Sequence, residues 1–529
     1  MATRSIRPTD DTMLSGWESL PERAPSVMRD DKPTIARTLA LIGFFLIAVG
    51  AIAMMVPMFN EGRERERQWS YIIGPTWGLV FATGGLSLIL FHAFADWEVQ
   101  FRRLYGFFAI VFLLGGAVLR VIPIKTAGVV GVRELGGWFL PFGVPMMALA
   151  FVLILAVLRH ETDAFWQALL MRLLGAFGAI MILAGVGVGL AKPDFVPGEG
   201  IVLILMGTMF LSGFIGMQGM GSDTGHYVGL ALGFLAVAVF FLATLRSMTA
   251  RDYFIPAGLT LMGTSLLHFA LSLGICSDHP FIVLTRRELA SFFFSPIAYL
   301  VLFGSTVVAG ILFYLVIASI FLDAVRGETI FEPIVYFYLG NAIPVIIQMI
   351  VVPVLTMRLL SEEKRSGLME MLLTAPVNES SVVMSKFLAV WIFWLLTWLP
   401  YFLFLVGLRV AGGEEFDYRP LLSFALALAA TGGGFMAMGL FFSSITQNQI
   451  IAAVLTFVGM MVHLSLFMFQ GVFDPGSVWR EIFTYASFFD LWRMYLQGNF
   501  APRFLVFHVA TMVFFLYLSV KVLEARKWK

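Results

Sequence analysis

The sequence predicts an all-α, polytopic membrane protein, and three observations carry that reading. Apolar residues make up 59% of the chain and charged residues only 13%, against roughly 25% charged in an ordinary soluble domain. Apolar runs near the length of about 20 residues that a helical span needs recur about fourteen times. Short connections rich in Gly, Pro and charge separate them.

Taken in order, the first eight runs are residues 37–59, 71–95, 105–122, 138–158, 169–191, 201–219, 227–245 and 254–275. Six more follow at 296–321, 335–357, 385–408, 421–442, 450–472 and 503–522. Residues 1–34 precede the first run and hold Arg4, Arg7, Arg23, Arg29 and Lys32 among Pro, Ser and Asp. They contain no apolar core of a signal peptide and read as a disordered tail. An even number of spans places both termini on one side. With the termini inside, the inner loops hold more of the 35 Lys and Arg than the outer ones, which makes that side cytoplasmic.

The connections are mostly unremarkable in chemistry. Glu61–Trp69 alternates Glu and Arg and reads as a self-neutralising helix end. Gly213–Gly225 is Gly-rich but lacks the Lys-Ser/Thr that completes a phosphate loop, and small residues at helical spacing let membrane helices pack closely. No complete phosphate loop occurs elsewhere, so the chain holds no ATP of its own by this reading. Thr431-Gly432-Gly433-Gly434 lies mid-span, where it can bend the helix or admit close packing. Phe473–Pro502, with its Trp479/Phe483 spacing, reads as re-entrant or surface helices on the outer side. The single cysteine, Cys276, excludes an intrachain disulfide and a cysteine metal cluster. A net charge of +1 gives no footprint for nucleic acid.

The most informative stretch is Arg358–Lys386, between the tenth and eleventh runs. Glu362, Glu363, Lys364 and Arg365 stand in one block, each costing about 2.5–3.5 kcal/mol at the centre of a bilayer. The block therefore belongs in water or at an interface. Leu359–Leu373 favours helix, with Glu362 and Arg365 paired at i,i+3, and Pro376 bars its continuation. Gly367 allows close approach or a sharp turn, and Glu370 adds a further charge. A second amphipathic stretch, Phe281–Phe294, sets Phe281, Ile282, Leu289, Phe292 and Phe293 opposite Arg287, Glu288 and Ser291, and suits a helix lying in the interface.

The string MRLLSEEKRSGLMEMLLTAPV resembles the cytoplasmic loop of ABC-2 type transporter permeases, most closely the branch associated with gliding motility and nitrous-oxide-reductase maturation. TRRELASFFFSPIAYLVL (Thr285–Leu302), SFFDLWRMYLQGNF (Ser487–Phe500) and LEARKWK (Leu523–Lys529) agree, so the resemblance covers roughly residues 281–529. It implies an interfacial elbow helix carrying Arg286, Arg287 and Glu288, six exporter spans, and a coupling helix that touches a separate ATPase. The coupling residues would be Glu362, Glu363, Lys364, Arg365, Gly367, Glu370 and Pro376. The chain would bind no cofactor itself, ATP and Mg being used by the partner. The further expected partners are a second permease, as homodimer or heterodimer, and an accessory extracytoplasmic protein. The location would be a bacterial plasma (inner) membrane. Residues 35–280 resemble nothing recognised and contain no second copy of the EEKRSG pattern; they read as an accessory or partner-docking module.

Gln348, Thr397, His463 and Gln470 are the candidates for a pathway lining, against the plainer reading of interhelical hydrogen-bond partners. Sparse polar groups suit an amphipathic cargo better than an ion. Two other classes stand beside the exporter. A non-transporting assembly protein would use the eight unassigned spans. A membrane-embedded lipid- or glycan-modifying enzyme would have only His226 with Asp223, or His160 with Glu161 and Asp163, to work with.

Overall fold

The computed structural model describes residues 32–59, 77–78, 80–82, 84–89, 92, 99–126, 143, 146–158, 163–191, 197–218, 223–249, 258–277, 279–293, 295–326, 334–368, 378–410 and 419–526. Residues 1–31, Glu61–Trp69, His160, Glu161, Glu370, Pro376 and the last three residues lie outside them, with the expectations attached to them. Among the described residues every element is helical.

Eight helices are long and apolar enough to cross a membrane, and shorter apolar helices, such as Thr38–Gly50, Val80–Ile89 and Met146–Leu158, overlap the remaining predicted spans. The N-terminal part contains α1 (Lys32–Phe59), α2 (Val99–Thr126), α3 (Ala164–Ala191), α4 (Pro197–Gln218), α5 (Asp223–Thr249) and α6 (Gly258–Cys276). It has its own apolar core, in which Phe151, Met206 and Phe210 are fully buried. Small residues set the packing, since lipid gives no hydrophobic drive between helices. Gly178 and Gly207 lie face to face on α3 and α4, and Gly213 sits under the Phe151 ring. The Gly-rich run thus serves packing where it is described.

The C-terminal part begins with α7 (Pro280–Phe293), the predicted elbow, and α8 (Pro296–Arg326). The predicted span 335–357 is divided. A short α9 (Ile334–Leu339) stops at Gly340, and α10 (Ala342–Thr356) starts afresh because Asn341 Oδ1 accepts from Ile343 N at 3.2 Å, an N-cap that competes with helix continuation. The segment then runs through a turn into α11 (Ser361–Ser366). After it come α12 (Glu379–Val410), α13 (Arg419–Ile445), α14 (Gln449–Phe469), α15 (Val478–Ala486), α16 (Phe488–Leu496) and α17 (Pro502–Arg526).

α13 is the axis of this second core. It runs unbroken through Thr431–Gly434, and its glycines admit close neighbours. Gly432 lies beneath the Trp394 ring, Gly433 against Met512 and Gly439 against Thr356. The hairpin α15–α16 turns on Ser487, whose Oγ accepts from Asp490 N at 3.3 Å. α16 packs inward through Phe488, Leu491, Trp492, Tyr495 and Leu496, and Trp492 Nε1 donates to Thr431 Oγ1 at 2.9 Å. α15 leaves Val478, Trp479 and Ile482 exposed. The two parts of the chain touch through Phe303 over Gly84 and Val80 over Gly310.

Candidate coupling site

The charged segment is built as a bend, not as the single helix predicted for Leu359–Leu373. α11 holds only SEEKRS, and it ends at Gly367, whose φ of 76° is left-handed. A left-handed residue turns the backbone out of the right-handed spiral and so ends the helix, and glycine takes that φ without the clash of a Cβ with the carbonyl; residues beyond Leu368 up to 377 lie outside the described ones. At the other end of α11 the turn between it and α10 is closed by a hydroxyl from another helix. Ser443 Oγ on α13 accepts from Leu360 N at 3.0 Å and from Ser361 N at 3.1 Å, and donates to Met357 O at 3.2 Å. The bend thereby satisfies main-chain groups that a broken helix leaves bare.

Within the block the four charges divide. Glu362 and Arg365 are exposed, and neither enters an ion pair among the described residues, so the predicted i,i+3 pair is not formed. Lys364 is buried. Glu363 turns toward α12, where Lys386 Nζ lies 2.6 Å from its Oε1 and 2.9 Å from Glu288 Oε2 on the elbow. The Lys386 side chain is only 3% exposed. Glu288 Oε1 takes a further bond at 2.8 Å from Arg287 Nη2, which makes a four-member network balanced in charge. Burial pushes the Glu288 carboxyl up, but the Lys386 ammonium and the Arg287 guanidinium outweigh it and hold the group below the usual carboxylate range.

A second contact runs beside this network. Arg358, in the bend, donates from Nη1 to Ser295 Oγ at 3.0 Å and lies over the Phe292 ring, 5.5 Å from its centroid. Phe292 in turn stacks on Phe393 of α12 with centroids 5.1 Å apart. The elbow, the bend and the first turns of α12 are thus one unit, held by an ion network, a cation–π contact and a ring stack.

Of the predicted elbow residues, Glu288 and Arg287 enter this network, whereas Arg286 turns away and donates to Gly274 O of α6 at 2.8 Å. The four pathway candidates do not converge. Gln348 Oε1 accepts from the Trp394 indole Nε1 at 2.6 Å, whereas Thr397 Oγ1 donates to the main-chain carbonyl of Trp394 within its own helix. His463 lies 3.3 Å from Gly459 O on its own helix, with its ring against Phe435. Gln470 accepts from Thr484 of α15. Sequence reasoning gave no role to Lys386, Arg358 or Ser443. Lys386 had a signal: it stands alone within VVMSKFLAVW, where only a buried countercharge makes a cation tolerable.

The comparisons with known proteins bear on the C-terminal part. No curated protein and no solved structure matches the chain. Residues 328–521 match the family model described as ABC-2 family transporter protein, which takes in the bend, α12–α16 and most of α17 but not the elbow, and this segment of the chain is therefore of ABC-2 transporter type.

Proposed function

We propose that this chain is the membrane-spanning permease subunit of an ABC transporter, exporting its cargo on energy from a separate ATPase subunit. The family match supports the permease component. The observation that carries the coupling role is the tie from Lys386 to Glu363 and Glu288. A segment that receives a push must be stiff where it joins the spans. Here the receiving bend cannot shift without moving α12 and the elbow together. Glu362, Arg365, Gly367 and Leu368 remain on the exposed side, with Leu368 54% exposed, and supply charge and an apolar anchor for a soluble partner. ATP and Mg would be held by that partner. A second permease chain would complete the pathway, in a plasma membrane with both termini cytoplasmic.

The test is copurification of the full chain with an ATPase subunit, followed by cargo-stimulated ATPase activity. Glu362→Lys, at an exposed position, and Gly367→Trp should insert normally and lose the stimulation or the partner. Normal membrane abundance, copurification and stimulation in both variants would refute the coupling role. A chain that never copurifies with an ATPase would instead favour the assembly-protein reading.

A further inference from the structure

The elbow helix is fastened on two sides. At 3.6 residues per turn, Arg286 and Glu288 project roughly 200° apart. Glu288 joins the Lys386–Glu363 network of the bend. Arg286 caps the last turn of α6 through Gly274 O, a carbonyl of the kind that no helical N–H reaches. A guanidinium there also answers the negative end of the helix dipole. Thr285 and Phe292 bury the face between these two anchors.

α6 is itself locked into the N-terminal part. Cys276 and Ser272 lie against Gly229 and Gly233 of α5 at distances that leave no room for a Cβ. His268 Nε2 lies 3.1 Å from Ser212 Oγ of α4. From Glu363 to Ser212 there is therefore an unbroken succession of close polar and packing contacts, and only residues 277–279 separate α6 from the elbow in sequence.

We propose that the elbow is a two-ended tie that makes the eight-span N-terminal module part of the coupling train, with Arg286 as the positioning residue at its far end. The proposal rests on the permease reading. Displacement of the bend by the ATPase moves the elbow through Glu288, and Arg286 delivers that movement to α6. By linkage the influence is mutual, so the state of the N-terminal module biases the partner's nucleotide affinity by the same coupling free energy that nucleotide exerts on the module.

The test uses the full chain with its ATPase partner in nanodiscs, and compares amide exchange in ATP-trapped and ADP states. In the wild type, exchange should differ between the two states both at residues 359–368 and at 272–276. Arg286→Ala should keep the difference at 359–368 and lose it at 272–276, while Arg286→Lys should restore part of it. Glu288→Gln, which leaves the α6 cap in place, should also remove the difference at 272–276. Nucleotide dependence is the readout, because loss of a merely structural cap would raise exchange equally in both states. A wild-type difference confined to 359–368, or one at 272–276 that survives both Arg286→Ala and Glu288→Gln, would overturn the proposal. Failure of the wild type to bind an ATPase would overturn the permease reading with it.

Discussion

Lys386 Nζ sits between Glu363 and Glu288, 2.6 Å from one carboxylate and 2.9 Å from the other, and joins two segments that are distant in sequence. A buried ammonium so placed is needed more for what its removal exposes than for its own attraction. Removing one member of a buried ion group costs about 3–5 kcal/mol, because the remaining charges lose their partner. Lys386→Met should therefore destabilise the protein by about 3 kcal/mol, the low end of that range, as both carboxylates keep some contact with water. The combination with Glu288→Gln and Glu363→Gln should recover most of the loss. Thermal unfolding in detergent checks both, and an unchanged melting temperature for Lys386→Met would refute the assignment.

The same network fixes a pH dependence. Glu288 has its carboxyl held below the usual range in the folded protein, with burial opposing and Lys386 and Arg287 prevailing. The folded state thus binds this proton less readily than the unfolded state. Its stabilisation is complete above the ordinary glutamate value of about 4.3 and is lost as pH falls through the lower folded value. Wild-type stability should fall over that acid window, and Glu288→Gln should flatten the fall. An identical pH profile for the two would show that Glu288 is not the group responsible.

Gly367 offers a separation of strain from crowding. Its φ is 76°, yet nothing stands within 4 Å of where a Cβ would be. Gly367→Ala should cost about 1–2 kcal/mol from backbone strain alone, and Gly367→Asn clearly less, since Asn tolerates the left-handed region. Melting curves for the pair decide the matter; equal losses would point to a contact rather than to φ.

Gly432 is the opposite case. A Cβ there would lie 1.9 Å from the Trp394 ring, which is fully buried and bonded to Gln348. Gly432→Ala should cost about 1–3 kcal/mol or more by overpacking. Gly434→Ala, with its nearest neighbour 3.6 Å away, should be close to neutral. Equal stability of the two variants would contradict the packing of α13 against α12.

Topology can be read by cysteine labelling in a Cys276→Ser background. Position 364 is unsuitable, because Lys364 is buried. Exposed Glu362 and Arg365 are the positions to use. Both should react with an impermeant reagent from the cytoplasmic side alone, and reaction from outside would reverse the assigned orientation.

The spans were legible because twenty-residue apolar runs are a property of composition, visible without any partner. The elbow at Pro280–Phe293 was legible from its two-faced pattern and matched to within a residue. The bend was not, because Leu359–Leu373 carries helix-favouring residues throughout. What overrides them is Gly367 in a left-handed conformation and a hydroxyl from Ser443, more than eighty residues away. The partners of Lys386 were hidden for a similar reason: they come from two other segments, and no local spacing announces them. The pathway candidates were chosen as lone polar residues, and Gln348 turned out to hold the Trp394 indole while Thr397 bonds a carbonyl of its own helix.

Ser443 has a dimensional consequence. On α13, Gly432 receives Trp394, Gly439 receives Thr356, and Ser443 closes the bend after Met357. These three stations are separated by roughly two turns and then about one turn, so they share a face of the helix. α13 is in this sense a gauge: it measures the distance from the aromatic interior to the bend in whole turns. One residue inserted between Gly432 and Ser443 would swing the hydroxyl by about 100° and carry it away from Leu360 and Ser361. The length of α13 between these points is therefore as much a part of the bend's specification as the charges that the bend displays.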